Sequence, residues 1–198
     1  MFDSVVLGVD PGLTRCGWGV VGVKGPRLDH VAHGTIRTAR EAPTGDRLAA
    51  VADAVAAVVA AHRPAACALE QVLFNGNART AMATGQAAGV VMLTCSRRHV
   101  PLTSYSPSQV KSAVAGFGAA DKEQMRTAVV RLLGLTEAPQ TDAADALALA
   151  LCHATTGRHT HAVQAATPAS TSAARTRGRL EAAIAAATRR DQAGSDRR

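Results

Sequence analysis

Ser4-Val5-Val6-Leu7-Gly8-Val9-Asp10-Pro11-Gly12-Leu13-Thr14-Arg15-Cys16-Gly17-Trp18-Gly19-Val20-Val21-Gly22-Val23-Lys24 sets the architecture of this chain. Residues 4–10 and 16–24 are valine-rich runs joined by the turn-rich link 11–15, which is of hairpin length and predicts an antiparallel pair of strands. A third strand is predicted over 28–37, where Val31, His33, Thr35 and Arg37 alternate with Ala32, Gly34 and Ile36. Beyond it, Leu48, Val51, Val55, Val58 and Val59 form one apolar stripe, so 44–62 reads as a helix that Pro64 stops. A buried strand at 66–73 follows, then a helix over 77–98 rich in small residues and a short strand at 100–105. Helices at 107–115 and 121–133 flank a Gly116-Phe117-Gly118 loop, and a last helix at 142–155 takes Thr141 or Asp142 as its N-cap. Three antiparallel strands followed by alternating helices and strands predict an α/β fold: a mixed five-stranded sheet with helices on both faces.

The 198 residues suffice for one domain with a core, and 47% apolar with 19% charged residues is ordinary for a globular chain. No apolar run is long enough to span a membrane, and no basic region precedes an apolar signal core, so a cytoplasmic chain without a membrane partner is expected. Cys16, Cys67, Cys95 and Cys152 are far apart and form no Cys-x-x-Cys pair, which points to reduced, buried thiols and away from zinc. The net charge of +7 is uneven: residues 157–198 hold 8 Arg against Glu181, Asp191 and Asp196, while residues 1–156 are nearly balanced. We therefore expect a domain over 1–156 and a basic, Ala/Thr/Arg-rich, disordered tail over 157–198. Such a tail adds salt-sensitive affinity for DNA or serves as a solubilising extension.

Four carboxylates stand in unusual local contexts. Asp10 and Glu70 end apolar strands, and Asp142 and Asp145 share one face at the start of an Ala/Leu-rich helix. Each alone has a plain explanation: Asp10 as a turn former before Pro-Gly, Glu70 as an exposed strand tip, Asp142 and Asp145 as helix-capping acids. Asp10-Pro11-Gly12 on a hairpin also resembles the phosphate loop of actin-like ATPases. Gathered in one cleft, however, the four could not all stay ionised without cations. That reading makes them a site for Mg²⁺ or Mn²⁺, of the kind suited to phosphodiester chemistry. His153 lies eight residues beyond Asp145, about 12 Å along a helix, too far to join them.

Taken together, Gly8-Val9-Asp10-Pro11-Gly12, Leu69-Glu70-Gln71-Val72 and Asp142-Ala143-Ala144-Asp145-Ala146-Leu147-Ala148 closely resemble the RuvC Holliday-junction resolvases. Gly85-Gln86-Ala87-Ala88-Gly89, Gln109-Val110-Lys111 and Asp121-Lys122 fall where that family has counterparts, so the resemblance covers residues 1 to about 155. It implies an RNase H-like fold and a homodimeric endodeoxyribonuclease that nicks two opposed strands of a four-way DNA junction during recombination and repair. Asp10, Glu70, Asp142 and Asp145 become its metal-binding tetrad, loaded with two Mg²⁺ (or Mn²⁺) for hydrolysis that leaves 5′-phosphate ends. Lys111 and Lys122 become catalytic and DNA-binding cations beside the cleft. The family has Val-Phe after the catalytic glutamate, with the ring stacking on bases; here Val72 is followed by Leu73 and then Phe74, so both are DNA-binding candidates. The resemblance also implies partnership with the RuvAB branch-migration complex and a place on the nucleoid when DNA-bound. Gly85, Ala88, Gly89 and Met92 offer a small-residue face for the second copy.

Three rivals compete with this reading. An actin-like ATPase needs a second phosphate loop and a second domain, and no other Asp-x-Gly occurs. A silent junction-binding protein gains nothing from four acids beside phosphates. An RNase H-like nuclease acting on another nucleic acid is the third.

Overall fold

The computed structural model describes residues 1–72 and 78–164, with 157–164 as helix backbone. Five strands form one sheet in the order β3-β2-β1-β4-β5: β1 (Ser4–Asp10), β2 (Arg15–Lys24), β3 (Arg27–Arg37), β4 (Ala66–Glu70) and β5 (Leu102–Tyr105). β1, β2 and β3 pair antiparallel, whereas β4 runs parallel to β1 and β5 parallel to β4. β1 thus lies at the centre, where the antiparallel half meets the parallel half. Its last residue, Asp10, sits one step beyond the Val9–Leu69 register pair, level with Glu70 at the end of β4. Two acids from residues 60 apart in sequence come side by side because parallel strands end together.

Alternation along the strands sends side chains to two cores. Leu7, Val9, Cys16, Val20, Cys67 and Leu69 pack against Val51, Val55 and Val59 of α1 (Thr44–His62) and Ala88, Val91 and Cys95 of α2 (Ala78–Arg97). Val6, Val21, Ala68 and Tyr105 face α3 (Pro107–Ala115), α4 (Lys122–Leu133) and α5 (Thr141–Gln164). The helices therefore cover both faces, as expected. All four cysteines are buried and unbridged. No helix among the described residues is long and apolar enough to cross a membrane.

α5 lies closest to the sheet. It is buried almost all round, from Ala143 to Ala154 with Asp145 and His153 the more exposed positions, which suits a helix with no polar face. Gly8 and Gly17 make that approach possible. A side chain at Gly8 would overlap the Ala146 carbonyl oxygen and the Ala150 nitrogen, and one at Gly17 would overlap the Asp142 carbonyl. The absence of Cβ atoms on β1 and β2 lets the first turns of α5 settle directly over the strand that carries Asp10.

The elements differ from the sequence reading at some edges. β4 ends at Glu70 rather than 73: Gln71 still donates to the Tyr105 carbonyl, but β5 stops there and leaves nothing further to pair with. The last helix begins at Thr141, its first bond running from the Ala144 N–H to the Gln140 carbonyl, so neither Thr141 nor Asp142 is the cap. It also runs on to Gln164, beyond the expected end at 155. Residues 1–160 form one compact unit. The tail reading beyond 164, with Leu73 and Phe74, falls outside the described residues.

Candidate active site

Asp10, at the end of the central strand, is the focus of the site. Its carboxyl is pushed up to about 8, first by burial, then by the charges of Glu70, Asp145 and Asp142. The other three acids are thus all close enough to act on Asp10 electrostatically. Asp10 and Glu70 lie near enough for their carboxyls to interact directly, which favours a proton on Asp10. Glu70 is raised by burial and by Asp145. Asp145 is raised by burial and by Asp142, with Lys122 pulling the other way. By surface area Asp145 is open to water; the walls of a concave cleft desolvate a carboxyl that still has a path to solvent.

The two lysines share this cleft. A cavity of about 290 Å³ is lined by Glu70, Lys111, Asp121, Lys122 and Asp145 over a floor that includes Val110 and Leu149. Lys111 projects from the middle of α3, and Lys122 is the first residue of α4. Both helices start at full capping boxes, Ser106 with Gln109 and Asp121 with Gln124, each satisfying two otherwise unpaired N–H groups. The lysine-bearing backbone is therefore firmly placed.

One residue of the site escaped the sequence reading. Arg15, at the start of β2, places Nε and Nη2 each 2.6 Å from Asp142 Oδ2. Its partner lies 127 residues away, and an arginine in a polar turn looks like a solvated cation. The link that carries it is held from α1: Arg47 donates to Thr14 Oγ1 at 2.7 Å and to Thr38 Oγ1 at 2.9 Å, while Thr38 Oγ1 donates to the Leu13 carbonyl at 2.6 Å. His153, in contrast, meets the Tyr105 hydroxyl at 2.9 Å and is lowered by burial, taking no part in the cleft.

Four carboxylates are hard oxygen donors suited to a small divalent cation, and burial together with the neighbouring acids raises the Asp10 carboxyl. The donor set fits such metals. It is not pre-assembled: among the described residues, no three His, Cys, Asp or Glu side chains already stand as a metal-holding group. Asp10 is engaged with Glu70, and Asp142 with Arg15.

A sequence model of one family, described as crossover junction endodeoxyribonuclease RuvC, matches residues 6–153. The chain belongs to the RuvC family. The RuvC protein of Frankia alni is 52% identical over 166 residues, which cover 83% of this chain and 84% of that one. The structure of Thermus thermophilus RuvC in complex with Holliday junction substrate superposes with a TM-score of 0.76 at 38% identity, covering 79% of this chain and 96% of that one. The yeast mitochondrial Holliday junction resolvase, at 12% identity and a TM-score of 0.57, shares the fold; it covers 81% of this chain and 83% of that one. RuvC membership makes the fold RNase H-like and the protein a crossover junction endodeoxyribonuclease, a nuclease that depends on divalent metal. The ATPase rival ends here.

Proposed function

We propose that this RuvC enzyme resolves four-way junctions through Asp10, Glu70, Asp142 and Asp145, with Lys111 and Lys122 beside them. The observation that carries the assignment is the raised carboxyl of Asp10, crowded by three acids of which Glu70 and Asp145 line a cleft with both lysines. Mg²⁺ held by these carboxylates, with Mn²⁺ an adequate substitute, supplies positive charge for the phosphate and acidity for an attacking water. The protein contributes the rest. The sheet fixes Asp10 and Glu70 side by side, α5 brings Asp142 and Asp145 over them, and the two ammonium groups stabilise charge on the phosphate as it is displaced. The products are a 3′-hydroxyl and a 5′-phosphate.

The enzyme acts as a homodimer through the outer face of α2. Met82 and Leu93 are 65% and 50% exposed, and Met92 is 44% exposed. Cβ atoms at Gly85 and Gly89 would meet nothing within 4 Å in one protomer. Ala88, placed on this face by the sequence reading, is instead turned into the core against α1 and the sheet. A two-fold pair suits the near two-fold symmetry of a junction and puts one cleft on each opposed strand. Partnership with RuvAB, a cytoplasmic site of action on the nucleoid, and base contact by Leu73 or Phe74 belong to the same proposal.

The test uses a labelled synthetic four-way junction, a linear duplex and an RNA–DNA hybrid, each with Mg²⁺, and compares wild type with Asp10→Asn. Paired symmetric nicks confined to the junction, lost in the variant while binding persists, are expected. Equal cutting of the hybrid would point to a different nucleic-acid substrate, and binding without cleavage would leave a silent junction binder.

A further inference from the structure

We propose that Arg15 is a positioning residue of the active site: a built-in countercharge that clasps Asp142 in the metal-free enzyme and competes with divalent cations for it. This rests on the reading of Asp142 as a metal ligand.

Three observations carry the inference. The first is the form of the contact, in which two guanidinium nitrogens converge on one carboxylate oxygen, Oδ2, each at 2.6 Å. Both arms meet Oδ2, a charge-assisted contact that leaves Oδ1 outside it.

The second is where the contact sits. Arg15 and Gly17 are two residues apart on β2 and share one face, while Cys16 between them points into the opposite core. Gly17 admits the Asp142 backbone, and Arg15 reaches the carboxylate from the same face. The geometry that lowers α5 onto the sheet therefore also sets the clasp.

The third is selectivity. Among the described residues the other ion pairs, Arg27–Asp29 and Arg126–Glu123, lie outside the acidic cluster. Arg15 enters it through Asp142. The side chains of Arg15 and Asp142 are 44% and 21% exposed, so the pair is open enough to be exchanged.

The contact sets a fixed cation against a metal ligand, so a divalent cation is its natural competitor. Arg15 lets go when another cation takes its place. Without metal, Arg15 offsets part of the repulsion among the four acids and keeps Asp142 aimed at the cleft. When cations load, the same contact must be given up, which weakens their apparent affinity.

The experiment follows the Ca²⁺-induced rise in unfolding temperature of the full-length protein, without DNA, for wild type, Arg15→Ala, Arg15→Lys and Asp142→Asn. Removing the competitor in Arg15→Ala should lower the Ca²⁺ concentration at half-effect by about threefold or more, the scale of a partly exposed ion pair. Its metal-free unfolding temperature should fall. Arg15→Lys, which keeps the charge and loses the fork, should shift the same way by less. Asp142→Asn should raise the half-effect concentration. If Asp142→Asn weakens Ca²⁺ binding while both Arg15 variants match wild type or bind more weakly, the clasp is not a competitor and the proposal fails alone. If Asp142→Asn leaves the Ca²⁺ response unchanged, the ligand reading itself fails and the proposal goes with it.

Discussion

At Asp10, an acid raised from 3.8 to about 8 keeps its proton in the folded protein across a window where the unfolded chain has already lost it. The folded state then binds more protons at this group than the unfolded one, so its contribution to stability is fullest below 3.8 and declines as pH climbs towards 8. In chelator, the unfolding temperature of wild type relative to Asp10→Asn should therefore drop between pH 5 and pH 8. At pH 8 the variant should be the more stable by at least about 1 kcal/mol, since a tenfold change in acidity corresponds to about 1.4 kcal/mol. A difference that stays flat with pH would mean Asp10 is ionised throughout. Divalent metal should abolish the slope by taking the proton's place, releasing protons as it binds. Lys111 is tested through turnover instead, because it lines the same cleft as Glu70 and Asp145. Lys111→Ala should cut the single-turnover rate about tenfold or more while junction affinity changes little. Equal losses in both would make it a simple phosphate anchor.

Among the elements, α5 and its two glycine seats show what a sequence conceals. The β1–β2 hairpin is legible because its pairing is local, and α1 because its valines recur at helical spacing. The end of β4 is not, since Val72 and Leu73 resume the apolar pattern after Glu70 and Gln71, and the pairing depends on where β5, about thirty residues on, gives out. Ala88 faces the core rather than the outer side of α2, a choice the chain does not reveal because a small residue suits a core and an interface equally. In the cleft, the local settings of Asp10, Glu70, Asp142 and Asp145 are visible in the chain. Their meeting depends on sheet order, and Arg15 on a contact between β2 and α5 that nothing near it announces. The glycine seats give a direct check. Gly8→Ala should destabilise the protein by about 2 kcal/mol or more in urea unfolding, because the added carbon meets backbone atoms of α5 that have no rotamer to escape into. Its residual activity should fall further than its stability, since Asp142 and Asp145 ride on the displaced helix.

For the whole molecule, the exposed strip on α2 makes the strongest demand. Met82, Met92 and Leu93 are large apolar groups on one helix, next to glycines with open space above them. Gly89→Arg should convert a dimer to a monomer by light scattering while leaving the fold of each protomer intact. Junction cutting should then yield unpaired nicks rather than concerted ones. A variant that remains dimeric would move the interface elsewhere.

The burial of α5 also bears on the order in which the molecule comes into being. One of its two cores is organised around a helix that begins at Thr141, so all five strands, α3 and α4 leave the ribosome before α5 can complete that side of the sheet. Asp142 and Asp145 arrive on the same segment. A nascent chain that has not reached them lacks both a finished core and half of its acids. With Asp142 and Asp145 in the roles proposed for them, the second core and the full set of four acids are completed at the same moment.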